Sequence, residues 1–97
     1  MHQLSIPEFK QWVEQGKDFL LVDVREDFER ELFHIGGIHI PMGELPARLQ
    51  ELNAGKPVVF YCEKGIRSTI VMQRLEPLGL EMYSLTGGMS AWKKTAG

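Results

Sequence analysis

Cys62 is the only cysteine of the chain, and it stands in the segment Tyr61-Cys62-Glu63-Lys64-Gly65-Ile66-Arg67-Ser68. A lone cysteine has three roles open to it: a small buried hydrophobe, a reactive thiol or an intermolecular partner. Its surroundings favour the reactive thiol. Directly before it runs Pro57-Val58-Val59-Phe60-Tyr61, apolar and β-branched, which reads as a strand. Directly after come a glycine-containing turn and a helix from about Arg67 to Leu78, with Ile70, Val71 and Leu75 on its apolar side. Such a junction can aim successive backbone N–H groups inward as an anion-binding nest, backed by the helix N-terminus. Lys64 lies within the turn, and Arg67 and Ser68 open the helix. The expected environment is electropositive, which favours thiolate and readies it for attack. The same donors would hold an anionic substrate such as an oxo-sulfur species. Gly65 lets the backbone close around the sulfur. Glu63 is discordant, because a carboxylate beside a thiolate opposes its ionisation; it is expected at the rim, facing solvent.

Spacing separates two chemistries. Cysteine phosphatases carry the arginine of their phosphate loop at the position that Ser68 occupies here. In this chain the arginine is Arg67, one residue earlier. The loop should therefore be tighter than a phosphate cradle, which counts against a phosphatase or an arsenate reductase.

The flanking elements must present this loop. Ser5 reads as a helix cap, with Pro7 in the first turn and Glu8 completing a capping box. Phe9, Trp12 and Val13 form one apolar face, and Gly16 ends the helix. Phe19 to Val24 is a short apolar run suited to a strand covered on both faces. Glu26 to Phe33 is charged and weakly helical, and His34-Ile35-Gly36-Gly37 breaks it. Ile38-His39-Ile40 reads as a strand ending at Pro41, Glu44 to Leu52 as a short helix and Asn53-Ala54-Gly55-Lys56 as a turn. Met82 to Leu85 is a further strand, Thr86-Gly87-Gly88 a turn and Met89 to Lys94 a last helix. Strands alternating with helices predict an α/β fold: a central, mostly parallel sheet of short strands with helices on both faces. Ligands of such sheets bind outside the carboxyl ends of the strands, which is where Cys62 falls.

Composition limits the function classes. The chain has 97 residues, enough for one domain spanning residues 1–97. Lys+Arg is 11 and Asp+Glu is 13, so the formal charge is −2, which gives no pull on nucleic acid or an anionic membrane. No apolar stretch approaches a membrane span, and the first residues lack the pattern of a secretory signal. The expected compartment is the cytoplasm, where a lone thiol stays reduced. One cysteine excludes an internal disulfide and a Cys-rich zinc site. His34 and His39 lack a companion ligand set; His34 is read as structural, bonded to backbone, and His2 as uninformative.

Four motifs in order resemble the rhodanese family of sulfurtransferases, from about Leu4 to Lys94. Leu20-Leu21-Val22-Asp23-Val24-Arg25-Glu26 is similar to the family's strand ending in an Asp-x-Arg turn. Glu29 to Phe33 with His34-Ile35-Gly36-Gly37-Ile38-His39-Ile40-Pro41 resembles its Gly-His-Ile-Pro-Gly segment, although Phe33 replaces the usual glycine and Gly36 the usual proline. Val58 to Ser68 resembles the strand and active-site loop, and Leu85-Thr86-Gly87-Gly88-Met89-Ser90-Ala91-Trp92 the closing Gly-Gly-x-x-x-Trp signature.

The resemblance implies a rhodanese-like three-layer α/β fold and a mechanism. Cys62 attacks the sulfane sulfur of a small anionic donor such as thiosulfate, and sulfite leaves. The resulting persulfide is cradled by the loop Cys62, Glu63, Lys64, Gly65, Ile66 and Arg67, with Ser68 behind it. An external acceptor, cyanide in vitro or a cellular thiol, removes the outer sulfur. No cofactor or metal is implied. Asp23 and Arg25, which follow an apolar strand, are read first as an ion pair or hydrogen bonds that fix the following turn, with a substrate role for Arg25 secondary. Gly87 and Gly88 should supply a turn, Trp92 a core or rim anchor, Trp12 and Phe9 helix-to-sheet packing, and Lys93 and Lys94 a solvated helix end. A carrier module whose Cys62 is loaded by a protein partner is the competing reading. A phosphatase is disfavoured by Ser68, and a non-catalytic interaction domain by Cys62, Gly65 and Arg67 together.

Overall fold

The structure, a computed structural model, describes residues 2–52 and 55–95. Its centre is the strand β4 (Val58–Tyr61), in which every residue is buried. Side chains alternate across a strand, so β4 feeds two layers at once. Val58 and Phe60, with Cys62 just beyond, join one apolar cluster; Val59 and Tyr61 join the other.

Among the described residues β4 lies in a five-stranded parallel sheet of order β1-β5-β4-β2-β3. Its neighbours are β2 (Leu20–Asp23) and β5 (Met82–Leu85), with β3 (Ile38–His39) and β1 (His2–Leu4) at the edges. Asp23 stands opposite Tyr61 in register, and Phe60 opposite Ser84. With all pairings parallel, every strand delivers its carboxyl end to the same edge of the sheet.

One face is covered by α3 (Ile66–Leu75), through Val71 and Met72, and by the 3-10 segments Met42–Ala47 and Leu49–Leu52, through Leu45 and Leu52. The other is covered by α1 (Ile6–Glu14) and α4 (Gly88–Thr95), through Ile6, Phe9 and Met89, with Trp12 and Trp92 packed beside them. The expected α/β fold with helices on both faces is therefore present. α1 carries the expected capping box: Ser5 Oγ accepts from Glu8 N–H at 3.2 Å, and Glu8 Oε1 accepts from Ser5 N–H at 2.9 Å. α2 (Asp27–Leu32) is the short charged helix between β2 and β3.

Local expectations differ in four places. β1 was not expected, because three residues are too few to show alternation; it is held by parallel pairing with β5, and the His2 ring lies 5.2 Å from that of Tyr83. The segment 44–52 forms two 3-10 stretches, with Pro46 inside the first, where it cannot donate to a helical ladder. α3 stops at Leu75, and Glu76-Pro77-Leu78 turns as a 3-10 segment. Val13 is exposed, so the buried stripe of α1 runs through Phe9 and Trp12 without it. Residues 53 and 54 of the expected turn at Asn53 to Lys56 lie outside the described residues. Among the described residues no helix is long and apolar enough to cross a membrane.

Candidate active site

Cys62 is the first residue past β4 and is 1% exposed. Its Sγ accepts the Gly65 N–H at 3.1 Å and the Ser68 N–H at 3.4 Å, and lies 3.5 Å from Ser68 Oγ. Both amides belong to the N-terminus of α3, whose cap is Gly65 in the left-handed region at φ +88°. Amides at that end have no partner within the helix, and the helix dipole adds positive potential there. The sulfur thus takes the place of an anion at a helix N-terminus.

The opposite wall of the loop is set by α4. Met89 N–H donates to the Cys62 carbonyl at 3.0 Å and Ser90 N–H to the Glu63 carbonyl at 2.8 Å. Gly88, at φ +55°, lies so close that a Cβ there would overlap the Cys62 carbonyl oxygen. The loop is held between two helix N-termini, α3 facing the sulfur and α4 the backbone carbonyls.

Behind Sγ lies a hydroxyl relay. Ser68 Oγ is 2.6 Å from Ser84 Oγ, and Thr69 Oγ1 donates to the Gly65 carbonyl at 2.8 Å. Ser68 and Ser84 are both fully buried, and these contacts fix Ser68 beneath the cysteine.

In front of the sulfur opens a cavity of about 340 Å³, lined by Glu29, Cys62, Glu63, Lys64, Ile66 and Arg67. Of the loop residues named from the sequence, Cys62, Glu63, Lys64, Ile66 and Arg67 line this cavity, whereas Gly65 and Ser68 are not part of its lining. Arg67 does not point freely into the opening. Both of its terminal nitrogens contact Glu29 of α2, at 2.7 Å each. This bidentate contact holds the Glu29 carboxyl down to about 2, against an opposing effect of burial, and raises Arg67 in turn. Glu63 lies at the rim, as expected, but is not turned simply to solvent. Its carboxylate accepts from Arg25 at 3.4 Å and from Ser90 Oγ at 3.2 Å, with Lys93 Nζ at 3.9 Å. Its charge is thereby compensated beside the sulfur.

Asp23 ends β2, and Arg25 two residues on forms an ion pair with it, one of the two contacts expected after this strand. Arg25 is 1% exposed, and its Nε and one terminal nitrogen each reach the Asp23 carboxylate at 3.0 Å. It also donates to the Phe33 carbonyl at 2.6 Å. Burial is the largest single effect and works against the charged guanidinium, but the Asp23 hydrogen bonds together with the charges of Asp23, Tyr61 and Glu63 outweigh it, and Arg25 is raised. Arg25 touches the cavity only through Glu63, so its contacts are those of a support. His34 Nδ1 accepts from Gly36 N–H at 3.0 Å, the backbone bond expected of it. Among the described residues no group of acidic, histidine or cysteine side chains could hold a metal ion.

Sequence reasoning missed Glu29, Ser84 and Ser90 as site neighbours. Glu29 was visible only as part of a charged helix, and nothing in its spacing points across to Arg67. Ser84 alternates correctly in β5 to face α3, a signal that becomes useful once the strand order is known.

The family model for the "Rhodanese-like domain" matches residues 5–95. The chain belongs to the rhodanese family. It is 38% identical over 79 residues to "Thiosulfate sulfurtransferase GlpE" of Coxiella burnetii, covering 79% of this chain and 74% of that one. It is 35% identical to YtwF of Bacillus subtilis over 92 residues, covering 94% and 89%. Among solved structures, a rhodanese-like domain protein from Staphylococcus aureus superposes with a TM-score of 0.88 at 32% identity, covering 95% of this chain and 91% of that one. The protein is thus a rhodanese-like member of a sulfurtransferase family. As a rhodanese it departs from the usual pattern at two turn positions, and its backbone accounts for both. Phe33 has φ −170°, extended backbone that needs no glycine. Gly36 has φ +95°, which the ring of the usual proline could not adopt.

Proposed function

We propose that this rhodanese is a thiosulfate-type sulfurtransferase working through a persulfide on Cys62. The observation that carries this reading is the Sγ atom accepting two backbone amides of α3 at the base of a cavity. Those donors suit a sulfur that bears negative charge as nucleophile and again as leaving group. In the first half-reaction the Cys62 thiolate attacks the outer sulfur of the donor. A new S–S bond forms, the donor's S–S bond breaks, and sulfite departs with the electron pair. In the second, an acceptor such as cyanide attacks the outer sulfur of the persulfide, giving thiocyanate and restoring the thiolate. Double displacement predicts ping-pong kinetics. The loop from Glu63 to Arg67 would surround the transferred sulfur and Ser68 would support it, with Asp23 and Arg25 holding the rim through Glu63. The chain contains no second cysteine, so the acceptor would be external: cyanide in the assay, a small thiol or a protein thiol in the cell.

The test is thiocyanate formation from thiosulfate and cyanide by the wild type beside Cys62→Ser, with intact mass after thiosulfate alone. We expect the wild type to gain the mass of one sulfur atom and the variant to gain none and form no thiocyanate. Full activity in the variant would sink the mechanism. The reading of a carrier loaded by a protein partner draws support from Ile66, an apolar side chain 65% exposed at the cavity mouth. Loading by a cysteine desulfurase where thiosulfate fails would favour it.

A further inference from the structure

The cavity's charges are almost all spoken for. Of its cationic lining, Arg67 is bound through both terminal nitrogens to Glu29, and Lys64 is the exposed cation of the loop. Of its anionic lining, Glu63 is compensated by Arg25 and Lys93 from outside the cavity. A guanidinium fork is the natural bidentate partner for an oxyanion, and here a carboxylate from α2 already fills it. A compact dianion must displace Glu29 before it can use Arg67, and it then faces the released carboxylate across the same small space.

Building on the sulfur-transfer reading, we infer that Glu29 determines donor selectivity. It acts as an internal carboxylate ligand of Arg67: thiosulfate remains a donor, but a weaker one than an unpaired guanidinium would make it, and the balance shifts toward donors whose sulfane sulfur is carried on an organic thiol. Such a donor needs access to Cys62 and the loop amides, and no anionic oxygens sit beside its sulfane sulfur to match with Arg67; as the new S–S bond to Cys62 forms, the donor's S–S bond breaks and the organic thiolate leaves with the electron pair. The opposite role is the natural alternative: Glu29 could hold Arg67 in place to receive the anion. The two roles make opposite predictions for removal of the carboxylate.

The experiment compares kcat/KM for thiosulfate with that for glutathione persulfide, cyanide being the acceptor throughout. In Glu29→Gln the ratio of thiosulfate to persulfide should rise by about fivefold or more, mainly through a lower thiosulfate KM. This is the scale of one half-buried charge pair. Glu29→Asp withdraws the carboxylate without removing it and should give a smaller rise, which protects the test against poor folding of the first variant. Adding Arg67→Gln to Glu29→Gln should cancel the gain. A ratio that stays the same or falls in both Glu29 variants overturns the inference, the fall assigning Glu29 to positioning Arg67. If wild-type Cys62 takes sulfur from neither donor, the sulfur-transfer reading itself fails and this inference falls with it. If it takes sulfur from both while the ratio does not move, only the selectivity role is lost.

Discussion

At the scale of single residues, the decisive contrast is between charges that are buried and charges that are merely near the site. Asp23 is fully buried, and Arg25 nearly so. Each carries a cost of leaving water that the other's geometry does most to offset. Asp23 Oδ1 also accepts the Arg25 backbone N–H at 3.0 Å, so the carboxylate ties down the turn as well as the side chain. Arg30 adds a weaker contact at 3.5 Å. Asp23→Asn keeps the shape and removes the charge, leaving a buried guanidinium without its main partner. We expect a loss of about 3–5 kcal/mol in urea unfolding, the scale found when one member of a buried pair is removed. A loss under about 1 kcal/mol would show that the pair is solvated in solution and behaves as a surface one. The place of Asp23 and Arg25 just after an apolar strand pointed to an ion pair or hydrogen bonds fixing the turn. Nothing comparable announced the Glu29–Arg67 pair, because side chains from two separate helices meet there and no local spacing encodes the meeting.

At the scale of elements, legibility in the sequence followed the strength of local signals. The capping box from Ser5 to Glu8, the apolar run of β4 and the glycine that opens α3 are encoded by neighbours in the chain, and each formed where expected. β1 and the 3-10 stretches across 42–52 were not legible, since a three-residue edge strand owes its form to β5 and Pro46 breaks any helical period. The same holds at the site: the loop from Cys62 to Ser68 was readable, while its clamping by α4 was not. That clamp can be tested at Gly88. Gly88→Ala introduces a Cβ into the Cys62 carbonyl and requires φ +55° of an alanine. Gly79→Ala is the matched control, because Gly79 has φ +71° and open space around it. The control should cost about 1–2 kcal/mol of backbone strain and leave thiosulfate turnover near that of the wild type. Gly88→Ala should cost more by urea unfolding and lower turnover about tenfold or more, since the loop amides are displaced from the sulfur. Equal turnover in the two variants would mean that α4 does not set the loop.

At the scale of the whole molecule, one strand serves two cores. Val58 and Phe60 pack with Val71, Met72 and Leu45 on one side of the sheet, and Val59 and Tyr61 with Phe9, Leu85 and Met89 on the other. Neither layer has another sheet to pack on, so loss of packing in one should be felt in the other through β4. The position of the tryptophans makes this measurable. Trp12 and Trp92 are the only tryptophans of the chain, and both belong to the second layer. Phe60→Ala empties space only in the first. A buried Phe→Ala change costs about 3–5 kcal/mol, a large part of the roughly 5–15 kcal/mol that holds a domain of this size. In a cooperative molecule the tryptophan fluorescence midpoint in urea should fall by the full amount and coincide with the far-UV circular dichroism midpoint. A fluorescence midpoint left at the wild-type value, with only the dichroism shifted, would separate the layers into independent units. Cooperative loss would mean that the Cys62 loop, which touches α3 of one layer and α4 of the other, exists only while both layers are intact.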